Sequence, residues 1–390
     1  MSLRVFVSAG LAATGLATAT PAMASAGESV AFQADAAHSG RVLDRSLGPP
    51  LQRRWTRTFP YTPSYPVVAA GRVFVTSLAT LLRDVSERCR VTALSARTGR
   101  TLWTRELGSL SDCGLHAYDA GRLFVTHSDQ DTGGLETLSA ADGRVLWRFP
   151  GRLRGPPVAA AGVVYLTEFH LGGAAAMRAS DGALLWRTPL TAPDVSVALG
   201  PDRLAVGTPS CNDVDFLRRS DGAFLVDSPN TCTGGGWIPA YHRGRFYMNT
   251  GNYSFRAYDA ISGTPQRRFA TTSQPAFAGL LGVFSEARLP RRYGLYGHTL
   301  TARSLATGRA RWHFRGDGYL DGPPLIVNDT AYVGSGSGAI FGVSLATGRA
   351  VWRAQVGAPV PRNQLGQLTG LGAGDGTLVV PALRRLVGYR

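Results

Sequence analysis

The chain has 390 residues, 44% of them hydrophobic and 17% charged, enough apolar side chain for a packed core and too little charge for a disordered chain. All 41 basic residues are arginine and face 26 acids, a formal charge of +15, so Schiff-base, pyridoxal-phosphate and P-loop chemistry, which need lysine, are excluded. The basic balance favours polyanions as a partner class, although the arginines are scattered along the chain rather than gathered in one run.

Residues 1–26 read as a secretory signal peptide. Arg4 supplies the positive start, and Val5 to Thr20 is an apolar, small-residue stretch too short to span a bilayer comfortably. Ala22-Met23-Ala24 and Ala24-Ser25-Ala26 are both cleavage sites of the A-x-A kind. No cysteine follows the apolar stretch, so a lipid anchor is not expected, and the mature chain is expected to be secreted and monomeric.

Residues 27–390 read as one repeat domain. Leu51-Gln52-Arg53-Arg54-Trp55 has the form of an outer strand ending in tryptophan. Arg72 to Thr76 and Val91 to Leu94 are short β-branched runs, followed by Thr98-Gly99 and a strand ending at Trp103. The same order returns at Gly143 and Trp147, Gly182 and Trp186, Gly308 and Trp312, and Gly348 and Trp352. Gly222 and Gly263 mark two degenerate copies with Val226 and Arg267 in the tryptophan slot. The seven glycines recur every 39–45 residues, the period of a four-stranded propeller blade. Near the C-terminus, Leu368 to Arg390 supplies three strands and no final Trp strand. The strand ending at Trp55 completes it, which predicts an all-β, eight-bladed propeller closed by N- and C-terminal pairing, with seven blades as the alternative.

The pattern A-x-[S/D]-x-x-[T/D]-G-x-x-x-W resembles the tryptophan-docking repeat of the PQQ-binding-like (quinoprotein) β-propeller superfamily. Phe32 to Gly40 and Cys232 to Gly236 also resemble exported actinobacterial members. The resemblance implies that Trp55, Trp103, Trp147, Trp186, Trp312 and Trp352 pack against neighbouring blades. It also implies a choice of functions. Quinoprotein dehydrogenases use an axial PQQ, a Ca²⁺ held by carboxylate and amide oxygens, and a vicinal cysteine pair; this chain lacks that pair. Non-catalytic relatives use the ring as a binding platform. The expectation is a non-enzymatic scaffold without cofactor that presents its loop-rich face to a protein, peptide or glycan. A PQQ enzyme and an arginine-mediated polyanion binder are the alternatives.

Cys89 and Cys113 occupy two loop slots of the first full blade, and Cys211 and Cys232 the same slots of the fourth, which predicts the disulfides Cys89–Cys113 and Cys211–Cys232. Their spacing does not suit zinc. Seven dispersed histidines show no helical or strand ligand spacing, and no hydrolase elbow is present. Gly334 to Ala339 fits G-x-G-x-x-A, but a strand follows it, so it reads as a hairpin loop. Arg154, Asp194, Asp317 and Asp321 are assigned to inter-blade loops as ligand candidates. Two long loops, Leu78 to Arg88 and Ser285 to His298, complete the expected binding face.

Overall fold

Seven turns set the architecture. Gly99, Gly143, Gly182, Gly222, Gly263, Gly308 and Gly348 all take φ of 67–76°, the left-handed region that reverses a strand without a Cβ penalty. In the computed structural model each closes the outer hairpin of one blade. The structure describes residues 27–78, 88–109, 112–128, 133–151, 153–168, 173–190, 196–207, 214–227, 238–250, 254–287, 297–317, 319–320, 322–361 and 368–390. The signal-peptide expectation lies outside them.

The strands form eight separate sheets, each with four antiparallel strands in blade order. Blade 1 runs outward through Val67–Ala69, Arg72–Leu78, Arg88–Ser95 and Thr101–Ser109. Blades 2 to 7 repeat this order from inner strands beginning at Asp112, Leu153, Ser196, Ala240, Ala276 and Leu325. Blade 8 takes Gly372–Gly374, Thr377–Ala382 and Arg385–Tyr389 from the C-terminal end and Arg53–Thr58 as its outer strand. Trp55 pairs with Gly388, which also pairs with Val379, so the split blade is real and the count is eight, not seven.

Burial follows radial position. The inner strands Val67–Ala69, Leu325–Val327 and Gly372–Gly374 are buried throughout, whereas Arg53–Thr58 buries only Trp55. The core therefore lies between blades, where the two facing sheets interleave their apolar side chains. No helix of the described residues is long and apolar enough to cross a membrane.

One element has no counterpart in the repeat. Arg41–Val42 adds to the inner edge of blade 7, pairing in parallel with Ile326 and Val327, the one parallel pairing among the described strands. It belongs to a longer N-terminal strap that enters the axis.

Candidate functional site, a filled axis and a loop-bearing face

The axis of the ring holds residues 27–42 of the chain itself. Ser29 exchanges backbone hydrogen bonds with Val68 of blade 1, and the Val30 carbonyl accepts from Tyr118 of blade 2. The carbonyls of Ala36, Ala37, Ser39 and Gly40 accept in turn from Leu199, Tyr241, Phe277 and Ile326, in blades 4, 5, 6 and 7, at 2.8–2.9 Å. Ser29 Oγ accepts from Ala373 of blade 8, and Ala31 packs with Leu153 and Ala159 of blade 3. The strap thus touches all eight blades.

Its path is tight. Gln33, Ala34 and His38 all take φ of 51–74°, which costs about 1–3 kcal/mol per residue and persists only when the surroundings hold it. The holders are visible. Asp35 Oδ1 accepts from the backbone of Ala37 and Ser39, both at 3.0 Å, and the Gln33 amide donates to the Pro275 and Pro324 carbonyls. At Gly40 a Cβ would fall 2.6 Å from the Ala276 side chain, so only glycine passes there. His38 Nδ1 donates to the Pro239 carbonyl at 3.0 Å. Burial lowers the His38 pKa to about 4, so its ring is neutral; burial raises the carboxyl of Asp35.

A quinone with its cation would need carboxylate and amide oxygens converging on this axis. Among the described inner strands only that of blade 2 carries acids, Asp112 and Asp119 at its two ends, and Asp35 is engaged in its own turn. No group of three His, Cys, Asp or Glu that could hold a metal occurs among the described residues. These residues do not fit the pair.

The six tryptophans assigned to docking lie at blade junctions. Nε1 of Trp55, Trp103, Trp147, Trp186, Trp312 and Trp352 donates to the carbonyls of Ala96, Ala140, Ala179, Arg219, Leu345 and Leu51, at 2.7–3.1 Å. Each acceptor sits in the following blade, and five of the rings also press on that blade's turn glycine: Gly99, Gly143, Gly182, Gly222 or Gly348. Val226 meets Gly263 instead, and the Arg267 stem meets Gly308. At the first of these junctions Arg203 Nη1 donates to Ala260 at 2.9 Å, the carbonyl that an indole would use. Sequence reasoning missed this substitute, because Arg203 lies outside the repeat's tryptophan slot.

On the loop-bearing face Asp317 is the ligand candidate whose side chain is described. Oδ1 accepts from Ser335 at 2.7 Å, and Oδ2 accepts from Ser337 at 2.9 Å and Arg353 at 2.8 Å. Burial pushes the Asp317 pKa up, but these hydrogen bonds and the Arg353 charge hold it below the usual carboxylate range. The carboxylate therefore ties the Gly334 to Ala339 hairpin to the loop leaving blade 6. Beside it Tyr319 is 48% exposed and its ring stands 4.8 Å from that of His298. Arg154 is corrected: it lies near the start of the Leu153–Ala160 strand, paired with Thr167, because the inner strand of blade 3 begins earlier than the sequence suggested. Cys89 and Cys113 likewise lie within strands Arg88–Ser95 and Asp112–Asp119, not in loops. No described cysteine is free. Asp194, Asp321, Cys211, Cys232 and the arginines and tyrosines between 288 and 296 lie outside the described residues, as do 79–87 of the first long loop.

The family model described as outer membrane protein assembly factor BamB matches residues 87–230 and again 176–380. Among solved structures, BamB from Moraxella catarrhalis is 14% identical, with a TM-score of 0.60 over 87% of this chain and 97% of that one. The quinohemoprotein alcohol dehydrogenase from Comamonas testosteroni is also 14% identical, at TM-score 0.68, over 93% of this chain and 80% of its own. The computationally designed Ika8 protein is 12% identical at TM-score 0.65, covering 87% and 99%. No curated protein matches the chain. At these identities the structural likeness speaks for the fold alone.

Proposed function

The chain belongs to the outer membrane protein assembly factor BamB family, and from that premise we propose that it is a secreted, non-enzymatic scaffold that binds a protein partner on its loop-bearing face. The observation that carries this reading is the filled axis. Residues 27–42 line the axis where the inner strands end, so part of the channel is taken by the chain itself, and we assign recognition to the loop-bearing face. The hairpin pinned by Asp317, with the exposed Tyr319 ring beside it, offers a rigid aromatic anchor of the kind that dominates protein interfaces. The predicted Cys89–Cys113 and Cys211–Cys232 disulfides would stiffen the same face. Each closes a loop of about 20–25 residues, worth roughly 3 kcal/mol by chain entropy.

Two measurements test the proposal. A photo-crosslinking residue at Tyr319 should capture one discrete exported protein, whereas the same residue at Ile261, 71% exposed in the outer turn of blade 5, should not. Equal capture at both positions would remove the loop face from consideration. Titration with PQQ and Ca²⁺, followed by dye-linked assays on alcohols and aldoses, should give no quinone spectrum and no turnover. Turnover would replace the scaffold with an oxidoreductase.

A further inference from the structure

The charge that looks scattered in sequence is gathered by the fold. The outermost strands of the eight blades carry eleven arginines and two acids, so nine of the fifteen excess positive charges lie on the rim. Edge strands need some charge to resist pairing with other chains, and a mixture of signs would serve. A single sign serves that purpose by repulsion between copies and at the same time leaves a belt of positive charge.

Blades 5 and 6 take this furthest. Their outer strands, Pro265–Ala270 and Ala310–Arg315, contribute Arg267, Arg268, Arg311 and Arg315 and no acid, and Arg309 sits in the adjoining turn. All five are exposed. Among the described residues none of the five has a carboxylate partner. Two rules of blade stability are broken side by side. Arg267 stands where six other junctions have tryptophan, with its stem on Gly308. Arg268 is directly opposite Arg256 on the neighbouring strand, an opposed like-charge pair that destabilises a sheet. The Nε of Arg256 is buried without an acceptor. Local rules broken together, by one residue type, mark a functional surface.

We propose that the outer edge of blades 5 and 6 binds a linear phosphate polyanion, at a site separate from the loop face. Guanidinium groups match phosphate oxygens in bidentate pairs, and Arg267, lying over Gly308, makes the patch continuous from blade 5 into the blade 6 turn. Long-chain inorganic polyphosphate is the probe, followed by fluorescence anisotropy against salt. Wild type should bind with an affinity that falls linearly in log–log salt plots. The triple variant Arg268→Gln, Arg309→Gln, Arg311→Gln should lose about tenfold at roughly 50 mM salt and flatten the slope by about 2–3. The charge-matched triple Arg53→Gln, Arg54→Gln, Arg57→Gln on blade 8 should stay within about twofold. Equal losses in both triples, or no binding by wild type, would overturn the proposal. Arg268→Gln alone guards against misfolding. It relieves the opposed pair, so it should melt no lower than wild type and still bind more weakly. Unchanged binding in that variant also counts against the site.

Discussion

Six junctions of the ring close on an indole, and the two that flank blade 5 do not. At the six, one side chain does two jobs: its ring covers the next blade and its N–H satisfies a carbonyl there. At the two, those jobs are divided. Phe216 and Phe246 meet at 4.7 Å between blades 4 and 5, and Phe269 stacks on Phe284 at 4.9 Å between blades 5 and 6. Arg203 of blade 4 caps Ala260 of blade 5, whereas Arg303 caps Gly308 and pairs with Glu286 within blade 6, bracing the turn on which the Arg267 stem rests. The strap adds a run of hydrogen bonds across the same sector, from Ala36 on blade 4 to Gly40 on blade 7. The difference teaches that the docking residue of a propeller is a solution to a local problem, and that neighbouring residues can share the solution.

The largest test of that view compares single truncations. Trp312→Ala and Phe284→Ala should each cost about 3–5 kcal/mol in urea unfolding, since both remove a buried aromatic ring from a junction. Val226→Ala should cost only about 1.5 kcal/mol. A loss at Val226 equal to that at Trp312 would mean that the slot, not the shared aromatic packing, holds the blade.

Acid should separate the two kinds of junction. Folded His38 has a pKa near 4, below the unfolded value of 6.5, so below pH 6.5 the unfolded chain takes up a proton that the folded chain refuses. Stability should therefore fall as pH drops from about 6.5 to about 4, by up to about 3 kcal/mol. Asp35 works against this at the acid end, because burial raises its carboxyl and the folded state is protonated first. His38 binds the carbonyl of Pro239, just before the blade 5 inner strand, so exchange protection near Leu204–Val206 and Phe246–Met248 should weaken before that near Ala331–Val333. Uniform weakening would show that ring closure sets the stability of every blade alike. An effect as small as that at Val226 belongs to Arg203→Gln, which should cost about 1–2 kcal/mol by leaving the Ala260 carbonyl unsatisfied. A double-mutant cycle with Asp202 would separate that hydrogen bond from their ion pair.

The sequence made the blades legible because glycine and tryptophan recur at fixed spacing and the turn geometry requires glycine. It also exposed the split blade and the two irregular junctions at Val226 and Arg267. The strap was not legible. Three of its left-handed positions fall on Gln33, Ala34 and His38 rather than on glycine, and residues 27–42 follow no strand period. Phe32 to Gly40 stood out only as a familiar opening. Arg203 was equally hidden, since the side chain that caps Ala260 comes from 57 residues away. The rim charge was missed for a related reason: outer strands recur every forty residues or so, and arginines spread at that interval look dispersed until the ring brings the edges into one belt.

Blade 8 and the strap also bear on the order in which the chain can fold. Some partners of residues 29–58 lie at Ile326, Ala373 and Val387 to Arg390, so an early segment waits for blades that follow some three hundred residues later. Such long-range pairing slows folding, because loop closure precedes the contacts that reward it. An open repeat array can lose an end unit and keep the rest. A chain of this protein cut short within its last sixty residues would instead be an arc with two bare edges and an axial segment missing its blade 8 contact. Its assembly is a single commitment that waits for blade 8, which makes ring closure a checkpoint on the presence of every blade.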